Sequence, residues 1–63
     1  MQVSAAIRQS WGLDHYGEFD SFERADKQLT GEGWKCVKTT NNGVTYRWEY
    51  VKGAEILVLK EVQ

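Results

Sequence analysis

Proline is absent from this 63-residue chain, and cysteine and histidine occur once each. Because Cys36 stands alone, the chain has no second cysteine with which to form an internal disulfide. No apolar stretch reaches the roughly 18 residues typical of a membrane-spanning helix, and no secretory hydrophobic segment is present. These absences predict a cytoplasmic protein without a membrane partner.

The chain also lacks a complete catalytic, nucleotide-binding or metal-binding signature. Residues 30–35 (TGEGWK) contain two glycines but lack the Lys-Ser/Thr pair of a phosphate-binding loop. Asp14, His15 and Glu18 offer metal-ligand atoms, but a solvated acidic segment is the simpler interpretation. Cys36 is the sole candidate thiol nucleophile for His15, yet a lone strand cysteine is more often a small buried hydrophobic residue. We predict a non-enzymatic protein with no cofactor and no metal.

Aromatic residues, in contrast, make up 13% of the sequence. A chain of this length buries only about 60% of the surface that it exposes when unfolded, so each large side chain matters to the core. Three tryptophans, three tyrosines and two phenylalanines supply bulk that can replace the disulfides or metal of many small proteins. We predict a single domain over residues 1–63.

Charge is balanced overall but divided along the chain. Residues 1–33 contain three cationic and six acidic side chains, whereas residues 34–63 contain five cationic and three acidic side chains. The formal net charge of −1 argues against general binding to a nucleic-acid backbone. The net charge is nevertheless compatible with a local basic face in the second half of the chain.

Asn42-Gly43 is the clearest turn signal, because a type I′ hairpin turn needs two residues that tolerate positive φ. A two-residue loop sets three cross-strand pairs: Thr39 with Tyr46, Val37 with Trp48, and Lys35 with Tyr50. A four-residue loop keeps the same side chains on the same faces. Either loop predicts a β-hairpin.

Lys52-Gly53 predicts a second tight turn, after which residues 54–62 (AEILVLKEV) are the strongest strand candidate. This turn sets two further pairs: Trp48 with Leu57, and Tyr46 with Leu59. The final strand is apolar on both sides, which predicts a central position in the sheet. One face then carries Val37, Val44, Tyr46, Trp48, Tyr50, Leu57 and Leu59. The other face carries Trp34, Cys36, Val51, Ile56 and Val58.

A single helix is predicted over Ser21–Thr30, with Asp20 as N-cap and Gly31 as the left-handed residue after its end. Residues 2–9 fit a strand, because Val3, Ala5 and Ile7 alternate, but Val3, Ile7 and Trp11 also fit a helical stripe. We take the strand. The result is an α+β fold, β-α-β-β-β, with an antiparallel meander, strand order 2-3-4-1 and the helix packed on one face.

Residues 10–19 (SWGLDHYGEF) are predicted to form an aromatic and acidic loop between the first strand and the helix. Trp11, Leu13 and Phe19 are expected to plug the core, because buried aromatics dominate small cores. His15 and Tyr16 lie at the expected loop tip, where contact residues are common. The sequence leaves open whether Trp11 and Tyr16 are core or contact residues.

The uncovered sheet face and this loop together predict a protein-binding module. The predicted binding residues are Trp34, Val51, Ile56 and Val58 on the sheet, with His15 and Tyr16 on the loop. Trp34 is expected to be the central anchor, and the partner is another protein or a second copy of the chain in a homodimer. Small size without catalytic residues is typical of accessory or inhibitor-type proteins, including those of phages and other mobile elements.

Nucleic-acid binding is the alternative function. Lys38, Arg47 and Lys60 form a basic end of the same predicted face, and nearby threonines add polar groups. Glu49 lies among these cations and weakens the attraction for phosphate. The sequence therefore favours a protein partner over nucleic acid.

Overall fold

The computed structural model describes residues 2–62, which form a five-stranded antiparallel sheet with one helix on one face. The elements are β1 (Gln2–Gln9), β2 (Gly12–Phe19), α1 (Phe22–Gly31), β3 (Lys35–Asn41), β4 (Tyr46–Lys52) and β5 (Glu55–Val62). Their order across the sheet is β2-β1-β5-β4-β3. The predicted α+β class with an antiparallel meander is confirmed, because the predicted order 2-3-4-1 corresponds to β3-β4-β5-β1.

Strand β2 is the element that the sequence interpretation missed. Residues 12–19 form an edge strand that pairs with β1, from Gln9 opposite Gly12 to Val3 opposite Phe19. Gly12 adopts a φ of +137° directly after the turn at residues 10–11, a conformation that favours glycine. The predicted loop is thus wrong, and the strand interpretation of residues 2–9 is correct. Glycines and acidic residues give β2 a weak strand propensity, so its pairing with β1 defines it.

Helix α1 connects the two edge strands, β2 and β3. Ser21, one residue after the predicted Asp20, is the N-cap, and its hydroxyl oxygen accepts the N–H of Arg24 at 3.3 Å. Gly31 is the last helical residue, and Gly33 is the one with a left-handed φ, at +100°. In the described chain no helix is long and apolar enough to cross a membrane.

The core lies between α1 and the sheet. Its buried residues are Val3, Ala5, Ala25, Leu29, Trp34, Trp48, Tyr50, Leu57 and Leu59. The ring of Phe22 stacks on Trp48 with 4.3 Å between centroids. The Tyr50 hydroxyl donates to Oδ1 of Asp26 at 2.7 Å, which ties β4 to the helix. This arrangement buries the apolar stripe of α1 against one sheet face only.

The cross-strand pairs first predicted for both hairpins differ from the observed pairs by two residues, and the alternative four-residue loop between β3 and β4 is confirmed. The β3–β4 loop has four residues, so Thr39 lies opposite Trp48. Oδ1 of Asn42 accepts the N–H groups of Val44 and Thr45, both at 2.9 Å, which stabilises this longer loop. In the β4–β5 hairpin, Trp48 lies opposite Leu59. A shift of two residues preserves the side-chain faces, so the predicted faces of β4 and β5 are retained.

A β-bulge in β3 changes the face of its first residues. Lys38 lies opposite Glu49 and Cys36 opposite Tyr50, which leaves Val37 as the extra residue. Because one inserted residue reverses the alternation, Trp34 and Cys36 come to the helix side. Trp34 is 4% exposed and belongs to the core. The prediction that Trp34 lies on the uncovered sheet face is therefore wrong.

Candidate binding face

The sheet face opposite α1 carries no covering element in the described chain, and we call it the open face. Directly opposite residues of neighbouring strands share a face, so the strand registers define its members. They are Leu13, His15 and Glu18 of β2; Gln2, Ser4, Ala6 and Arg8 of β1; Ile56, Val58, Lys60 and Val62 of β5; Arg47, Glu49 and Val51 of β4; and Lys35, Lys38 and Thr40 of β3. This face combines a small apolar centre with several cations.

The apolar centre of the open face contains three of the predicted binding residues, Val51, Ile56 and Val58. Val51 and Ile56 are half-buried, whereas Val58 is only 7% exposed. Arg8 and Glu49 flank β5 on either side, and their side chains approach to 3.9 Å across it. Their aliphatic stems help to shield the centre, as long charged side chains commonly do.

The positive charges of the open face differ in whether they have acidic partners. Glu49 lies 3.9 Å from an Arg8 nitrogen and 4.0 Å from Nζ of Lys38. Arg47 lies directly opposite Lys60, and neither forms an ion pair within residues 2–62. Like charges in directly opposite positions disfavour a sheet. Lys35, opposite Val51, also has no ion pair in the described chain, so Arg47 and Lys60 are distinguished as the two unpaired cations that lie directly opposite each other.

A groove of about 410 Å³ lies on the open face beside this pair. Its lining residues are Ser4, Ala6, Arg8, Gln9, Gly12, Leu13, Arg47, Val58 and Lys60. The lining thus contains three cationic side chains and no carboxylate. A second depression, of about 330 Å³, shares Arg47 and continues towards β3. Together they extend the concave surface across the sheet.

A larger depression, of about 820 Å³, lies between β2 and α1. Its charged lining mixes two cations, Arg24 and Lys27, with two acids, Glu18 and Asp20, and Phe19 is its one large apolar side chain. Opposite charges leave it without a net preference for an ionic ligand. In the smaller groove on the open face, by contrast, all the charged lining residues are cations.

Trp34 and Tyr16, two of the predicted binding residues, pack together on the helix side. Their rings meet edge to face with 6.4 Å between centroids, and Nζ of Lys52 lies 5.7 Å from the Trp34 ring. The Tyr16 hydroxyl donates to Oε1 of Glu32 at 2.6 Å, and this bond is the main cause that raises the pKa of Tyr16. Tyr16 thus fastens β2 to the end of α1 and lies away from the open face.

A bulge in β2 explains the position of Tyr16. Gly17 lies opposite Ala5 and His15 opposite Ala6, so Tyr16 is the extra residue between them. His15 lies on the open face, at its edge. No local sequence signal reveals this bulge, and the sequence interpretation missed it.

The three predicted core plugs have different outcomes. Phe19 is partly buried and packs against the core, as predicted. Trp11 and Leu13 are 75% and 60% exposed, so their assignment to the core is wrong. Trp11 lies in the β1–β2 turn, where its indole N–H donates to Oδ1 of Asp14 at 3.1 Å. Leu13 is instead an apolar wall of the open-face groove, a role that the sequence did not suggest.

Cys36 and His15, the candidate thiol–imidazole pair, lie far apart. They lie on the two edge strands and on opposite faces of the sheet. Four strand spacings separate β2 from β3, which amounts to about 19 Å. Within residues 2–62, no three of the His, Cys, Asp and Glu side chains converge as metal ligands would. The structure does not bring together a catalytic centre from these residues.

The three residues of the alternative function, Lys38, Arg47 and Lys60, do share the open face, on neighbouring strands. The face has no Phe, Tyr or Trp at its paired positions in the described strands, and the only ring at these positions is the imidazole of His15 at its edge. The chain matches no protein-family model, no curated protein and no solved structure, so its functional assignment depends on this geometry alone.

Proposed function

We propose that the protein is a non-enzymatic binding module whose open face receives an acidic segment of a protein partner. The observation that carries the proposal is the Arg47–Lys60 pair. These two cations lie directly opposite each other, and neither forms an ion pair with a carboxylate of residues 2–62. Directly opposed like charges disfavour the sheet, and an acidic ligand would relieve that repulsion. Such complementarity favours selective association and faster encounter.

A protein partner is favoured over nucleic acid for two reasons. Single-stranded nucleic acid is commonly held by several aromatic side chains that stack on bases, whereas the paired positions of the open face offer only His15, at its edge. Glu49 occupies the middle of the cationic region and would repel phosphate. A protein segment can place its few carboxylates beside Arg47 and Lys60 and avoid Glu49.

Binding through the face is favoured over strand addition at an edge. Both edge strands, β2 and β3, contain a bulge and charged side chains. Bulges and charges are devices that discourage pairing with a further strand. The accessible surface for a partner is therefore the open face.

A foreign partner is favoured over a homodimer. A two-fold dimer through the open face brings two positively charged faces together. A head-to-tail contact between the open face and the helix side leaves an unfilled open face at one end of every assembly that does not close into a ring. The proposal keeps the accessory or inhibitor-type role in the cytoplasm, since a module of this kind acts by occupying a partner's surface.

Capture experiments with matched charge reversals test this proposal. The immobilised protein is compared with an open-face variant, Lys38→Glu with Arg47→Glu, and a helix-side variant, Arg24→Glu with Lys27→Glu. We expect a lysate protein with an acidic segment to be retained by the wild type and the helix-side variant and lost from the open-face variant. Retention should fall as salt rises, because screening weakens exposed charge pairs.

Equal retention on both charge-reversed variants would contradict the proposal. A second arm measures binding of a labelled single-stranded oligodeoxythymidylate at physiological salt, and we expect none. Submicromolar binding that disappears on Arg47→Glu would establish the nucleic-acid function instead. Sedimentation of the isolated protein at several concentrations should show a monomer, and a dimer that dissociates on Arg47→Glu would favour self-association.

A further inference from the structure

The groove on the open face has the Arg47–Lys60 pair at one end and the apolar side chain of Leu13 at the other, where Leu13 lies opposite Arg8. We infer that it binds a carboxylate carried on a short aliphatic chain, as an acidic residue next to an aliphatic residue would present it. The inference rests on the proposed function and adds the chemical class of the bound segment. It assigns the carboxylate to the Arg47–Lys60 pair and the aliphatic part to Leu13, Ala6 and Val58.

The position of the carboxylate follows from the register of three strands. Lys60 lies directly opposite Ser4 on one side and Arg47 on the other, so the three side chains form one row across the groove. Arg47 supplies a fork of donors that matches a carboxylate, and Lys60 adds a second charge. The Ser4 hydroxyl adds a further donor beside Lys60, and Glu18 of β2 follows it in the row, outside the groove lining.

Arg8, the third cation of the groove, already has an acidic neighbour. Its guanidinium lies 3.9 Å from a carboxylate oxygen of Glu49. Arg47 and Lys60 have no such partner within residues 2–62. A ligand carboxylate should therefore settle between Arg47 and Lys60 rather than beside Arg8.

The apolar part of the ligand is placed by Leu13. Leu13 is 60% exposed, and it lines the groove together with Ala6 and Val58. Covering an exposed leucine with an aliphatic group is favourable, because apolar surface leaves water. The groove volume of about 410 Å³ lies within the range of small-ligand sites. A bare inorganic anion would leave this apolar wall uncovered.

Titration with small probes tests the groove without any knowledge of the partner. The labelled protein is titrated with hexanoate, with acetate and with hexan-1-ol while backbone amide and methyl signals are recorded. We expect hexanoate to shift the signals of Ser4, Lys60, Leu13 and Val58. Acetate lacks the apolar chain and hexan-1-ol lacks the charge, so each should bind at least about tenfold more weakly than hexanoate.

Variants separate the two halves of the groove. Arg47→Gln with Lys60→Gln should weaken hexanoate at least about tenfold and leave hexan-1-ol unchanged, because the lost bonds involve the charged group. Leu13→Asn should reduce hexanoate affinity to that of acetate. Lys35→Gln, which removes a charge from the open face outside the groove, is the matched control and should change nothing. Dispersed amide spectra confirm that each variant is folded.

Three outcomes would overturn the inference: hexanoate shifts confined to the helix side, an equal loss on Lys35→Gln, or inorganic phosphate binding more tightly than hexanoate. If hexanoate does not bind while capture still depends on Lys38 and Arg47, the groove inference alone fails. If hexanoate binds as expected while capture is indifferent to the open face, the groove is a carboxylate site and the proposed function fails.

Discussion

The two faces of the sheet differ in what their side chains contact. On the helix side, Tyr50, Leu57 and Leu59 are fully buried beneath α1. On the open face, the most deeply buried large residue is Val58, which lies between the strands that carry the Arg8–Glu49 ion pair. The helix side therefore carries most of the apolar burial that stabilises the fold. The open face holds uncompensated charge, so stability and binding should respond to different residues.

The same substitution made on each side tests this separation most strongly. Leu29→Ala removes a fully buried side chain of α1 and should lower the free energy of unfolding by about 2–5 kcal/mol. Leu13→Ala, at 60% exposure, should change it by less than about 0.5 kcal/mol. Urea denaturation of both variants measures the difference. Similar losses would show that the open face also contributes to the core.

Removal of the Tyr50 hydroxyl should cause the next largest loss of stability, because this group forms the hydrogen bond between β4 and α1. Tyr50→Phe should cost about 1–3 kcal/mol, since the bond to the Asp26 carboxylate is lost in a buried setting. Thr39→Val, which removes a hydroxyl from exposed strand β3, is a control expected to stay near the wild type. Thermal unfolding followed by circular dichroism ranks the two. A larger loss in the Thr39 variant would refute the assignment.

The raised pKa of Tyr50 predicts that the free energy of unfolding depends on pH in the alkaline range. Burial, and then the hydrogen bond to Asp26, raise the pKa of Tyr50 well above its ordinary value of 10.0. The folded protein thus keeps its proton where the unfolded chain loses it, so stability is full below pH 10.0 and falls above it. The slope should approach about 1.4 kcal/mol per pH unit. Tyr50→Phe should reduce this slope, to which Tyr16 with its raised pKa also contributes, and an unchanged slope would assign the effect elsewhere.

The smallest expected effect is a gain in stability, whereas the substitutions above lower it. Lys60→Glu converts the like-charge pair with Arg47 into an attractive pair and should raise the free energy of unfolding by about 0.2–1 kcal/mol. Lys35→Glu makes the same charge change opposite the uncharged Val51 and should have little effect. Denaturation at low salt gives the clearest reading. Destabilisation by Lys60→Glu would mean that the pair is not under repulsion.

Sequence alone predicted those parts of the fold that have a strong local pattern. Asn42-Gly43 located a hairpin, and the two-sided apolar character of β5 placed it in the centre of the sheet. The alternation of Arg47 and Lys60 assigned them to one face, and an error of two residues in register left that face unchanged. For this reason the open-face residues of β4 and β5 were predicted, although the pairs first predicted across these strands were wrong.

The remaining errors have a common physical cause, which is structure decided by distant partners. The bulges at Val37 and Tyr16 invert the alternation without a local signal, and they turn Trp34 and Tyr16 towards the helix. Strand β2 has a weak intrinsic β-propensity, and it forms because its backbone pairs with β1. An anchor role for Trp34 therefore could not be judged before the pairing was known.

The ladder between β1 and β5 is the strand pairing that joins two locally paired units of the described sheet, the β1–β2 hairpin and the β3–β5 meander. Contacts so distant in sequence form late in folding, because the intervening chain must first be ordered. Ser4 lies on one side of this ladder and Lys60 on the other, so the groove exists only after the two units have docked. Occupation of the groove must therefore slow the separation of the units and make global unfolding depend on ligand concentration.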